Sequence, residues 1–215
     1  MKLFIRILIL YLFISCHTVS RISTTKNNHN KIILLQPIDY DSGQNLLPLS
    51  KELKDFFHAN VSIAKPITIP KNYRYQNDLY DETYSADSLI QLLSKLINGS
   101  VVEVIGITQK NIYVPKDYEF HNNNKERKFS YANNIFGLGF ISGNACIISD
   151  ARLVSSDTAL YLNRMRKVIL HEVGHNLGLP HCSNDSCIMS ESNGNIVSLN
   201  QTGGDYCENC KRRLH

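Results

Sequence analysis

Apolar and polar positions along the chain fall into blocks of two different periods. Ile32 to Ile38 (IILLQPI) is a short run rich in Ile and Leu, the pattern of a buried strand. Leu46, Leu47, Leu49, Leu53, Phe56 and Phe57 recur at mostly helical spacing, with Lys51, Glu52, Lys54 and Asp55 between them, which predicts an amphipathic helix. Val61 to Ile69 alternates like a strand, and Pro66 confines it to a sheet edge or breaks it. After a polar, Tyr-rich stretch at 71–84, Ser85 to Ile97 predicts a second helix, with Ser85 or Asp87 near its start and Gly99 just past its end. Val101 to Ile107 (VVEVIGI) is the strongest strand of the chain. Residues 115–134 read as a long polar loop. Phe136 to Ile148 sets three glycines among alternating apolar residues and predicts a Gly-kinked strand or hairpin. Ser155, Ser156 or Asp157 caps a third helix that runs to about Leu177. This order of strands and helices implies an α/β domain with a mixed, twisted sheet flanked by helices.

The first thirty residues follow a different pattern. Lys2 and Arg6 precede an unbroken apolar run from Ile7 to Ile14, and small Ser15 precedes Cys16, the layout of a secretory signal over 1–15. The run is too short to span a bilayer, which needs ~20 apolar residues. Phe13-Ile14-Ser15-Cys16 also resembles a bacterial lipobox, in which cleavage before Cys16 frees a thiol for lipidation. Plain signal cleavage and an uncleaved anchor are the alternatives. Residues 16–30 are polar and without periodicity, so they read as a tether, and the folded domain is expected over 31–215. This layout predicts an exported protein, touching a membrane only through its N-terminal lipid and facing the periplasm or cell surface.

Composition narrows the class. The 215 residues are 43% hydrophobic and 20% charged, enough apolar material for a core and too much for a disordered chain. Formal net charge is +4, and removal of Lys2 and Arg6 with the leader leaves +2, so nothing calls for a nucleic-acid partner. One domain is expected at this length, and a monomer.

The chemistry is concentrated after residue 170. The sequence from 171 to 181 reads HEVGHNLGLPH. His171 and His175 are four apart on the third helix, so both imidazoles project from one face within reach of a single ion. Glu172 is one step round, where it can reach a water at the same metal. Gly178 allows a sharp helix end with positive φ, and the chain returns through Pro180 to bring His181 back as a third ligand. Three imidazoles leave one position of a tetrahedral Zn²⁺ open, as in catalytic sites. Leu162, Met165, Ile169 and Val173 define the helix's core face, roughly opposite the two histidines.

Four of the six cysteines crowd the last 34 residues. Cys182 follows His181 directly, Cys187 lies five further on, and Cys207 and Cys210 form a CxxC. Paired spacings of this kind suit a closed, structural tetrathiolate zinc, giving two zinc ions per chain. Two disulfides formed after export, or a redox-active CxxC, are the alternatives. Cys146 lies in an apolar segment and reads as a buried core thiol.

The HExxHxxGxxH run resembles the metzincin clan of zinc peptidases. The immediate Cys182, the following Cys187 and Met189, and the distant Cys207 and Cys210 resemble one family within it, the archaemetzincins. Tyr113-Val114-Pro115 and the Ser149 to Leu153 stretch resemble weaker family segments. The resemblance implies a compact metzincin-like α/β fold, with an active-site helix and a small zinc-clamped C-terminal part. It implies that Met189 is the methionine of the turn beneath the catalytic zinc. It also implies hydrolysis of peptides or proteins, with aminopeptidases among the members, and Glu172 as general base. A tethered peptide-binding protein that keeps the zinc scaffold without catalysis is the competing function, and an intact Glu172 speaks against it.

Overall fold

The computed structural model describes residues 31–40, 46–75, 83–117, 129–133, 135–192 and 194–214. The leader, the tether and Cys16 lie outside the described residues, as does the centre of the 115–134 stretch. Among these residues nine strands form two sheets, and five α-helices accompany them. The first sheet contains β1 (Ile32–Ile38), β2 (Asn60–Ile63), β5 (Val101–Thr108), β8 (Gly137–Gly139) and β9 (Ala145–Ser149), in the order β2-β1-β5-β9-β8. Its pairings are parallel except β8 with β9, an antiparallel hairpin. The second sheet orders β3 (Arg74–Tyr75), β4 (Thr83–Ser85), β6 (Asn111–Asp117) and β7 (Phe129–Asn133) as β3-β4-β6-β7. The helices are α1 (Leu47–Phe57), α2 (Ala86–Ser94), α3 (Thr158–Asn176), α4 (Ile196–Gln201) and α5 (Glu208–Arg213).

Alternation along the strands sorts side chains onto two cores. Ile33, Leu35, Ile105, Ile107, Cys146 and Ile148 face one core with α1 and α3. Val104, Ala145 and Ile147 face the other with Leu89, Ile90 and Leu93 of α2. The sheet is therefore covered on both faces, which is why β5 and β9 are almost wholly buried. Ser85 caps α2, its hydroxyl accepting from the Ser88 amide at 3.3 Å. Asp157, the third of the three candidates, caps α3 by accepting from Ala159 and Leu160.

Three expectations are corrected. The strand from Val61 stops at Ile63, and beyond it only an isolated bridge joins Ile67 to Ile38; Pro66 cannot donate to a ladder. It does lie at the sheet edge. The flanks of the 115–134 stretch are strand rather than loop, since β6 and β7 pair from Tyr113↔Asn133 to Asp117↔Phe129. And α3 is buried beyond its apolar face from Met165 onward: Glu172 lies against Gly137 and Gly139 of β8, Asn176 meets Glu103 of β5, and the C-terminal segment covers Lys167 and Gly174. Among the described residues no helix is long and apolar enough to cross a membrane.

Candidate metal centres and cleft

α3 carries His171 and His175 one turn apart and ends on Leu177; Gly178 follows at φ 96°, the left-handed geometry that lets the chain reverse. His181 then returns to the same place. The three ring centroids lie 4.8, 4.9 and 5.3 Å apart, and the histidine ligand atoms fall within 4.8 Å of one another. Each ring has its Nδ1 turned to an oxygen. His171 Nδ1 donates to the Ile188 carbonyl and His175 Nδ1 to the Leu179 carbonyl, both at 2.8 Å. His181 Nδ1 faces the Glu191 carboxylate at 3.8 Å. The carbonyl acceptors place the proton of His171 and His175 on Nδ1 and leave their Nε2 lone pairs for a metal. Burial holds His171 down to about 4 and lowers His175 as well, so both rings are neutral and able to ligate.

Glu172 lies against β8. A Cβ on Gly137 would stand 2.7 Å from Glu172 Cγ, and one on Gly139 would collide with the Glu172 carbonyl oxygen. Glycine at these two positions is what allows the strand to lie on the helix. Burial pushes the Glu172 carboxyl up to about 8, with the Gly139 amide hydrogen bond opposing. The strand is the last of its sheet among the described residues and lines the cleft as a sheet edge. The cleft between it and the C-terminal segment has a volume of about 770 Å³ and contains all three histidines and Glu172.

The four cysteines form a second cluster, with Cys182 Sγ 3.8 Å from Cys207 Sγ and Cys187 Sγ 3.7 Å from Cys210 Sγ. A tetrahedron with Zn–S bonds of ~2.3 Å has edges of about 3.8 Å, whereas a disulfide needs ~2.05 Å. The donor set and its spacing fit a zinc ion. Cys146 is fully buried and apart from the cluster. Met189 is buried, and a Cβ on Gly174 of α3 would meet its sulfur, so the 188–189 turn is pressed directly onto α3.

The model of peptidase family M54 matches residues 80–215. The chain belongs to that family, the archaemetzincins. It is a zinc metallopeptidase, a hydrolase of peptides or proteins. It is 30% identical to the archaemetzincin of Aeropyrum pernix over 185 residues, covering 84% of this chain and 91% of the relative. With that of Haloquadratum walsbyi it shares 29% over 175 residues, covering 77% and 89%. Two solved archaemetzincins have the same fold. That of Methanopyrus kandleri gives a TM-score of 0.68 at 22% identity, covering 89% of this chain and 97% of its own. That of Archaeoglobus fulgidus, solved with malonate, gives 0.65 at 25%, covering 85% and 99%.

Several residues that shape this archaemetzincin's cleft were not foreseen from sequence. Lys167, one turn before His171, is buried and donates to the carbonyls of Leu199, Asn200 and Thr202 at 3.1, 3.0 and 2.6 Å. It fastens the end of α4 to α3. Asn176 donates to Glu103 of β5. A Glu inside the apolar VVEVIGI run was the available signal for the second pair.

Proposed function

We propose that His171, His175 and His181 hold the catalytic zinc, that Glu172 is the general base, and that Cys182, Cys187, Cys207 and Cys210 hold a second, structural zinc. The observation that carries this is the convergence of three imidazoles whose Nδ1 atoms are already turned to Ile188, Leu179 and Glu191. Zinc, when bound, supplies a Lewis acid that polarises a carbonyl and makes water acidic. Glu172 accepts the proton of the attacking water and passes it to the departing amine. The Glu172 side chain is buried and packs under Gly137 at the cleft. Gly137–Gly139 offers backbone groups along which an extended peptide adds as a further strand. Met189 supports the floor through Gly174.

Further readings rest on resemblance and on the leader. Aminopeptidase-like cleavage is favoured over endopeptidase cleavage. The protein is exported, anchored by a lipid on Cys16, and monomeric, with residues 16–30 as tether.

Glu172→Gln tests the centre of the proposal. Zinc content and fold should be unchanged, with hydrolysis of a peptide mixture reduced at least ~10³-fold. Near-normal turnover in that variant would remove Glu172 from the mechanism.

A further inference from the structure

Among the described residues a second cavity, of about 380 Å³, shares no lining residue with the histidine cleft. Its volume is at the low end of the ~300–1,000 Å³ usual for small-molecule sites. It lies where α1 and α3 both end. Phe57 and His58 close one helix, Asn176 and Leu177 the other, and all four line the cavity. A helix C-terminus carries about half a negative charge on carbonyls that the helix leaves unpaired. Two such ends meet here.

β5 adds a carboxyl to the same cavity. Ile32 pairs with Val101 and Ile33 with Glu103, so Val102 is passed over as a β-bulge. From there Glu103 alternates with Ile105 and Ile107 onto the sheet face that packs against α1 and α3. It is buried, and its one hydrogen-bond partner among the described residues is Asn176, on Oε1. No cation is paired with it there, and burial pushes its carboxyl up to about 8. Asn176 Oδ1, buried and without a partner, stands 2.8 Å from the place a Cβ on Gly143 would take, and Gly143 is in the cavity wall. The buried end thus offers two unclaimed acceptors, Glu103 Oε2 and Asn176 Oδ1. An ammonium brings three donors and the missing countercharge. Ile33, Val101 and Val173 make the walls apolar. The other charged or titratable groups lining the cavity, Lys31 and His58, are exposed at its mouth.

We propose that this cavity is a binding site for a small molecule carrying a primary ammonium on an apolar body, with Glu103 as its countercharge. The ammonium belongs either to a simple alkylamine or to an apolar amino acid, whose carboxylate then faces Lys31 and His58. The site is separate from the histidine cleft and does not depend on how that cleft works.

The test uses the full, zinc-loaded chain and four probes of similar size: hexylamine, hexan-1-ol, hexanoate and leucine. Calorimetry measures binding, and amide NMR shifts locate it. Hexylamine should bind at least about tenfold more tightly than hexan-1-ol, and hexanoate more weakly than either. The amides of Ala59, Val102, Gly143 and Leu177 should move. Leucine moving the same amides identifies the amino acid as the source, and hexylamine doing so without leucine identifies the simple amine. Glu103→Gln should cost hexylamine at least about tenfold in affinity and leave hexan-1-ol unchanged. Ala59→Trp fills the cavity from its half-buried rim, so it should abolish binding of both while hydrolysis of a peptide mixture stays normal. Equal affinity for hexylamine and hexan-1-ol overturns the site. So do shifts confined to His171, Glu172 and His181, which would place the amine at the zinc, and hexylamine affinity that survives both variants.

Discussion

Asn176 Nδ2 donates to Glu103 Oε1 at 2.6 Å, joining the residue after the second metal-site histidine to the middle strand of the main sheet. Both side chains are buried, and the Asn176 Oδ1 has no partner among the described residues. The pair replaces apolar packing at the point where α3 ends, so the position of His175 depends on a polar contact inside the core.

That contact makes stability depend on pH. Burial pushes the Glu103 carboxyl from 4.5 up to about 8, against the opposing hydrogen bond from Asn176. Cys146 and Tyr206, the titratable groups that sense its charge, are themselves pushed up by burial and stay neutral over this range. Between about 4.5 and 8 the folded chain keeps a proton that the unfolded chain releases. Its contribution is therefore complete at low pH and is lost as pH rises through that window, by on the order of a few kcal/mol. Glu103→Gln should flatten this part of the profile, and subtracting it from wild type cancels whatever Glu172 contributes. Denaturant midpoints measured from pH 5 to 8 check this. Parallel profiles for the two proteins would show that Glu103 is already ionised when folded.

Gly174 admits the methionine turn. A Cβ there would collide with Met189 Sδ and stand 3.1 Å from Tyr206 Cε1, and Tyr206 is itself held by its hydroxyl donating to the Leu170 carbonyl. Gly174→Ala should cost about 1–3 kcal/mol by overpacking, despite alanine's better helix propensity. It should also weaken zinc binding, because Ile188, next to Met189, accepts from His171. Thermal unfolding and metal titration together separate this outcome from a neutral substitution.

The histidine site was legible because its spacing is short-range. One helix and one positive-φ glycine place His171, His175 and His181, and both act within eleven residues. The cysteines were legible as a group for the same reason, though spacing alone left zinc and disulfide both open. What escaped was set by tertiary packing. The β3-β4-β6-β7 sheet is built from polar, Tyr-rich strands of two to seven residues, whose pattern does not alternate against a single core. Nothing in the helical periodicity singles out Lys167. Its burial comes from α4, which lies more than twenty residues away in sequence and covers a face that periodicity marks as exposed.

Lys167 tests that last point. It donates to three carbonyls at the end of α4, a six-residue helix that is also held by burial of Leu199 and by Arg164 donating to the Asn200 side chain. Lys167→Met keeps the apolar stem and removes the three donors. The expected loss is about 2–4 kcal/mol, since the Asn200 and Thr202 carbonyls lose this donor and the Leu199 carbonyl keeps only the Thr202 hydroxyl. Hydrogen exchange should rise in 196–202 while α1 stays protected. A uniform change across the chain would mean that Lys167 acts through global stability and not by fastening α4.

Metal stoichiometry distinguishes the two sites and their order of dependence. His181 and Cys182 are consecutive, and the Cys182 amide donates to the Met189 carbonyl at 2.9 Å, so the cysteine cluster positions the third histidine and the turn together. The reverse dependence is weaker, because His175 is fixed by α3 and by Leu179 rather than by any cysteine. His175→Ala should therefore lose one zinc of two and keep its thiols masked until a chelator is added. Cys187→Ser should lose nearly both, since freeing the cluster releases His181 as well. Metal analysis with thiol titration before and after chelation reads all of this. One zinc in the wild type, with no thiols released by the chelator, would mean that the four cysteines are paired as disulfides, leaving the histidine site as the single metal centre.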